Sequence, residues 1–405
     1  MATRESINTG VAPSYDAVPT MRWGGLVERG RAAAVQIAWR AALCVMFGVT
    51  AEIACRIEDR LRFGMPLFTP ITSHVDLMVR DADGIHGRPN ARFEKWSMNA
   101  LGTRGPAAAL VKSDSTARVV VVGASETFGL YESPDREYPR QLEDSLNHFI
   151  AKRRCPIRRF EVLNAALPGM SLPTIEQDLR TRVARFGADV VVLYSSPVAY
   201  LVDEPPRAAT PDSSGRVSIL PWTGALHSRF FDRLRSQVKE LLPDFAATWL
   251  RRRDTERQLQ SKPAGWRFAS PPIDRLEEYE SDLRRVIGTI RRSGATPILM
   301  THANRFSVPG AADRGMLVAW EKFYPRAPGN VIVAFDAEAR GVTLRVASDS
   351  AVPIVDLVHA VARTGANDLF ADFAHFTDRG AGVVAGVLLG PVLETALHGK
   401  DCGEE

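Results

Sequence analysis

Short β-branched runs alternate along this chain with longer stretches of helical period, and few folds accept that pattern. Arg118–Val122 (R-V-V-V-V) ends at Gly123 and reads as a buried parallel strand. A helical pattern follows at Tyr138–Lys152, then a strand at Phe160–Asn164, a Pro-Gly loop, a helix over Ile175–Phe186 and a strand at Asp189–Tyr194. The rhythm then breaks. Asp203–Pro272 carries P-P, D-S-S-G, a helix candidate at Phe230–Leu242 and an arginine cluster near Arg251, and reads as a long, partly helical insertion. Helix Arg275–Arg292, strand Thr296–Thr301, helices Ala311–Phe323 and Val331–Gly341, strand Val352–Leu357 and helix Arg379–His398 complete the alternation. This order predicts an α/β fold: a doubly wound parallel sheet of about five strands flanked by helices.

In open α/β sheets, sites form beyond the carboxyl ends of the strands. That rule selects residues before any motif does. Ser125 follows strand one, Gly169 follows strand two, Ser195 and Ser196 end strand three, and His302 and Asn304 end strand four. Strand five leads toward Asp372 and His375. A serine, an aspartate and histidines at one edge are the material of an acyl-transfer nucleophile with its general base and orienting acid. Simpler roles stand beside these. Ser125 could cap the helix that follows it, Asp372 and His375 could form an exposed turn, and both serine hydroxyls could satisfy loop backbone.

These stretches together resemble the SGNH, or GDSL-like, hydrolase superfamily in its bacterial membrane-anchored form. G-A-S-E-T-F-G (123–129) resembles the nucleophile block, with Gly-Ala-Ser in place of Gly-Asp-Ser. L-N-A-A-L-P-G-M-S (163–171) resembles the second block, and L-F-A-D-F-A-H-F-T-D-R-G (369–380) the closing Asp-x-x-His block. Asn99 to Gly105 matches an N-x-x-G-x-R-G stretch of similar proteins, and Glu52 and Arg56 match the end of their apolar helix. The resemblance covers roughly residues 30–200 and 275–395 and implies an SGNH/flavodoxin-like fold. It implies Ser125 as nucleophile, His375 as base and Asp372 as its partner, with the amides of Ser125 and Gly169 in the oxyanion hole. One departure matters. The family's third block usually supplies an asparagine, and here Pro197 stands near its place in V-V-L-Y-S-S-P-V-A-Y. Proline offers no donor, so Ser196 is the expected substitute, with Ser195 facing elsewhere and His302 and Asn304 on a substrate rim. The implied activity is a serine esterase or deacylase. The alternatives are an O-acyltransferase acting on a cell-envelope saccharide or lipid, and a catalytically degenerate carbohydrate-binding or assembly protein.

Four segments are expected: a disordered tail over 1–30, an apolar helix over 31–62, a strand-and-loop extension over 63–116, and the α/β domain over 117–398 with its insertion over 203–272. The apolar helix is interrupted by Gln36, Arg40 and Glu52, and its clean run from Ala41 to Ala51 falls short of the about 20 residues a span needs. Arg40 can snorkel toward one end, so a membrane anchor and an amphipathic helix docked on the body or a membrane surface both stand. Arg22, Arg29 and Arg31 favour a cytoplasmic amino terminus with an extracytoplasmic body, whereas Arg56, Arg60 and Arg62 weaken that bias and leave a cytoplasmic location open. The formal charge of +4 on 405 residues demands no polyanion, and no nucleic-acid module is present. Cys44, Cys55, Cys155 and Cys402 have neither zinc-ligand nor disulfide-scaffold spacing, and leave the redox compartment open. No C-x-x-C or H-E-x-x-H occurs, so no metal is expected, and no G-x-G-x-x-G or Walker lysine accompanies Gly123–Gly129, so no cofactor is expected. The expected partner is an acyl-ester or O-acylated saccharide or lipid substrate, with membrane association and no nucleic acid.

Overall fold

The computed structural model describes residues 23–202, 227–308 and 313–404. The expected tail over 1–30 and the first part of the insertion, 203–226, therefore lie wholly or largely outside the described residues. Helix α1 (Trp23–Phe63) opens the chain, which divides into two units between Cys55 and Arg56. Within Ala34–Phe63 the helix holds an 18-residue window of mean hydropathy 1.5 with none of that window buried, and it is long enough to cross a membrane.

The second unit begins with two small antiparallel pairs, β1 (Met78–Asp81) with β2 (Gly84–Gly87) and β3 (Arg92–Phe93) with β4 (Trp96–Ser97). The α/β body follows as β5 (Thr116–Gly123), α2 (Ser125–Phe128), α3 (Tyr138–Ile150), β6 (Arg153–Arg154), β7 (Arg159–Asn164), α4 (Leu172–Thr181) and β8 (Val190–Tyr194). After the undescribed stretch come α5 (Arg229–Glu240), α6 (Asp244–Gln260), α7 (Ile273–Arg292), β9 (Thr296–Met300) and α8 (Arg314–Phe323). The chain closes with α9 (Gly329–Asp349), β10 (Ile354–Val355), α10 (Leu357–Thr364), α11 (Asp378–Ala396) and β11 (Gly403–Glu404).

The main sheet is parallel throughout, in the order β10–β9–β8–β5–β7. This is the flavodoxin-like order, so the expected fold class holds. Its cause is visible in β5. Val120 and Val122 pack into one core with α4, α7 and α9, while Ala117, Val119 and Val121 pack into the other with α3 and α11. A strand covered on both faces needs no polar alternation, hence the unbroken valine run. The chain leaves β5 toward β7 on one side and returns to β8 on the other, which opens a crevice at the end of β5. Gly123 sits at its mouth, where an added Cβ would lie 2.6 Å from the Tyr194 carbonyl oxygen.

The helix and strand boundaries differ from expectation in a few places. The last strand shrinks to Ile354–Val355 because Asp356 accepts from the His359 amide and turns the chain directly into α10. Helix α9 runs eight residues past the expected end at Gly341. The insertion contributes a second helix, α6. The cysteines are corrected outright: Cys155 and Cys402 are joined by a disulfide across 247 residues, beside the β6–β11 pairing. Their spacing gave no hint because the pairing is made by the tertiary fold. Helix α11 is apolar enough to span a membrane, yet Val384, Ala385, Leu388 and Val392 lie in the core.

The stretch Asn99–Gly105 supports α2. Arg104 is 3% exposed; its guanidinium donates to the carbonyls of Phe128 and Gly129 and pairs with Glu137 at 3.0 Å. These are the acceptors at the carboxyl end of α2 that the helix itself leaves open. Asn164 adds a bond from its Nδ2 to the Thr127 carbonyl at 2.9 Å. Substituting Arg104→Ala strands Glu137 as a buried charge and is expected to cost about 3–5 kcal/mol. Urea denaturation should show this as a lowered midpoint; an unchanged midpoint would remove Arg104 from the support of α2.

Candidate active site

Ser125 is the first residue of α2, directly beyond the crevice end of β5. Its Oγ lies 3.3 Å from Glu126 Oε2. The amide of Ser125 donates no hydrogen bond within the described residues, and neither does that of Gly169, which lies past β7 at φ +79°. Both are the kind of open donor a developing oxyanion needs.

Asp372 and His375 lie in a tight loop between the bridged residues Phe370 and Phe376. One Asp372 oxygen accepts the amides of Ala374 and His375, each at 2.9 Å, and this turn holds the imidazole in place. His375 Nδ1 lies 2.8 Å from Asp372 Oδ2, which orients the ring, and His375 Nε2 is buried with no hydrogen-bond partner among the described residues. The loop is seated by Gly380, where a Cβ would fall 2.0 Å from the Leu369 carbonyl oxygen. The segment after α2 reaches this loop: the Tyr131 ring is 5.3 Å from the His375 ring, and the Ser133 amide donates to Asp378 at 2.7 Å. The structure thus brings Ser125, Asp372 and His375 to one edge of the sheet. It does not join Ser125 to His375, since the serine hydroxyl faces Glu126 instead.

The end of β8 separates its two serines. Ser195 is buried and its Oγ meets the Tyr279 hydroxyl at 3.0 Å, while Ser196 Oγ lies 3.5 Å from His302 Nε2. His302 and Asn304 are not on a rim: each is only 3% exposed. His302 Nδ1 lies 2.7 Å from Asp336 Oδ1, its Nε2 is 3.4 Å from Glu126 Oε1, and Asn304 Nδ2 donates to Asp336 Oδ2 at 2.6 Å. The two residues turn inward because Asp336, on α9, offers them a buried carboxylate.

Glu126 and Asp336 are therefore functional candidates that the sequence reading missed. Glu126 carried a signal, being the acid next to Ser125 in G-A-S-E-T-F-G. Asp336 carried none, since nothing marks it within α9. Burial pushes the Glu126 carboxyl up, but the hydrogen bond and charge of His302, with the charge of His375, hold its pKa at about 2. Burial disfavours the charged form of His302, but Asp336 and then Glu126 raise it to about 10. His302 thereby bridges Glu126 and Asp336, its own pKa raised and that of Glu126 lowered. Burial also raises Glu132 to about 7 and Tyr131 to about 12, the latter with help from Asp372.

Burial opposes charge on His375 as well, but Asp372 and the carboxylates of Glu126 and Glu132 raise its pKa above the usual 6.5. A base must be neutral to accept a proton, so a reaction using His375 gains rate as pH rises through that raised value. Phosphonylation of the protein by a fluorophosphonate, which releases fluoride, is expected to show its midpoint above 6.5 when followed across pH. A midpoint well below it would show that another group is the base.

No protein-family model matches the chain, and no curated protein sequence does. Solved structures with a similar fold include a lipase/acylhydrolase from Enterococcus faecalis, at 18% identity and a TM-score of 0.38, over 68% of this chain and 95% of that one. An acetylxylan esterase from Geobacillus stearothermophilus is similar at 12% identity and a TM-score of 0.39, over 70% and 96%. An α/β hydrolase from a Lake Arreo metagenome is similar at 15% identity and a TM-score of 0.39, over 69% and 94%. These are likenesses of fold, and the chemistry is read from the residues.

Proposed function

We propose that this chain is a serine-dependent acyl-ester hydrolase. The observation that carries the reading is the Asp372–His375 pair with its bare, buried Nε2, on the same sheet edge as Ser125. Ser125 turns from Glu126 to His375 when substrate arrives; contacts of this kind are often unformed without substrate. Its Oγ gives its proton to His375 Nε2 and bonds to the ester carbonyl carbon. The carbonyl electron pair moves onto oxygen, which the amides of Ser125 and Gly169 and the Ser196 hydroxyl stabilise. Collapse breaks the carbon–oxygen bond to the leaving group, and His375 protonates the departing alkoxide. Water then attacks the acyl-serine, with His375 taking its proton and returning one to Ser125. A saccharide or lipid hydroxyl in place of water makes the same residues an O-acyltransferase. Each oxyanion donor of this type is worth about 2.7–4 kcal/mol to the transition state.

One observation favours a different reading. Ser125 rests on Glu126, and Pro197 replaces the usual third-block donor, which suits a degenerate carbohydrate-binding or assembly protein. Intact-protein mass spectrometry after fluorophosphonate treatment separates the two. The hydrolase gives one adduct that is lost in Ser125→Ala; a wild-type chain that stays unlabelled beside a labelled active esterase is the binding protein.

The site also has a setting. In this reading α1 is a membrane anchor and the body lies outside the cytoplasm. Its exposed apolar stretch supports the first part, and the Cys155–Cys402 disulfide supports an oxidising compartment. An acyl ester of the cell envelope is then the natural substrate class. After a carbonate wash, the full chain should stay in the membrane fraction; complete release into the supernatant would remove the anchor.

A further inference from the structure

Helix α5 is amphipathic the wrong way round for a soluble protein. Its basic face turns inward. Arg229 Nε pairs with Asp59 at 2.8 Å and its Nη2 with Glu94 at 2.7 Å, while Arg233 pairs with Asp59 at 2.6 Å and also with Glu58. Arg229 and Asp59 are buried, at 7% and 3% exposure. The neighbouring Arg56 donates to the His227 carbonyl at 2.8 Å and so ties the entry to α5 to the same place. The apolar side chains point the other way. Phe231, Leu234 and Val238, with Leu241 just past the helix, recur at helical spacing on the face opposite Arg229 and Arg233. They are 65%, 43%, 53% and 82% exposed. Amphipathic helices on water-soluble bodies bury such a stripe; this one is clamped by its charges with the stripe outward.

The clamp identifies what the stripe meets. Glu58 and Asp59 belong to the last turns of α1, beyond its clean apolar run Ala41–Ala51 in the chain. Beside them Leu61 and Phe68 are also exposed, at 82% and 75%, and the Arg56 guanidinium lies over the Phe68 ring. Within the second unit, exposed apolar side chains therefore recur at residues 61–68 and on α5. A helix with an apolar face outward, fastened to residues that follow a membrane span, matches an interfacial helix, whose apolar side sinks about 5–10 Å into the headgroup boundary. We propose that α5 lies in the surface of the bilayer that α1 crosses, docking the body on the membrane through Phe231, Leu234, Val238 and Leu241. The occupant of this face is lipid. The docked body cannot swing freely on its anchor, and the site is held at a fixed height above the membrane.

This proposal rests on the anchored reading of α1, and its test separates the two. The full chain, with Cys44→Ser and Cys55→Ser, is placed at one copy per phosphatidylcholine nanodisc, carrying the fluorophore NBD at Leu234→Cys, at Val238→Cys or at Ser236→Cys. Ser236 is exposed on the opposite side of α5. Lipid bearing a nitroxide near the headgroup is expected to quench the labels at 234 and 238 and leave that at 236 bright. A chain that withstands carbonate yet shows equal quenching at all three sites, or none, overturns the docking and leaves the anchor standing. Blue-shifted but unquenched labels at 234 and 238 overturn it too, because protein then covers the face. A chain that never enters the disc and is released by carbonate overturns both readings.

Discussion

A four-residue helix cannot hold its own shape, and the candidate site depends on one. Helix α2 has too few internal hydrogen bonds to offset the cost of nucleation. Its carboxyl end is held from outside, by the Arg104 guanidinium on Phe128 and Gly129 and by Asn164 on Thr127. With that end fixed, the free amide at its start stays at the mouth of the crevice, and Ser125 is presented there. The stretch Asn99–Gly105 lies outside the sheet but serves the same end. Asn99 closes its own loop through Leu101, Thr103 and Pro106, which keeps Arg104 in position. Glu137 then completes the arrangement by neutralising a cation that burial alone would expel.

Charge is the second organising theme. Three ionisable groups, Glu126, His302 and Asp336, are buried together behind the crevice. Burying any one of them alone as a charge would cost several kcal/mol; here His302 lies between the two carboxylates, and the Asn304 amide donates to Asp336. The cluster faces the site at two points, Ser125 through Glu126 and Ser196 through His302. Glu126 also reaches His375 and, with Asp372 and Glu132, favours the imidazolium. The field that favours a proton on His375 also makes its imidazolium harder to deprotonate.

The surface repeats this logic outside the site. On α5, ion pairs to Asp59 and Glu58 decide which face turns inward, and the apolar stripe is left to whatever lies beyond the protein. Hydrophobic burial, the usual arbiter of helix orientation, is overruled there by charges buried at the end of α1.

The fold was legible in the sequence to an unusual depth because parallel strands announce themselves. The valine run of β5 and the apolar β8 are buried on both faces, so their composition reports their place directly. Ser125, Gly169 and Ser196 could be put beyond the ends of their strands from chain order alone, since a parallel sheet delivers every strand end to one edge; Asp372 and His375 lie past α10, and only their Asp-x-x-His spacing marked them. Chain order could not say which way a side chain turns once there. His302 and Asn304 read as rim residues and turned inward because Asp336 waits on a helix more than thirty residues further on. The Cys155–Cys402 pairing was invisible for the same reason, being made between segments that meet only in the folded body. Even the inverted face of α5 follows this rule: the sequence determined that the helix has two faces, and only the acids of α1 decided which one is inside.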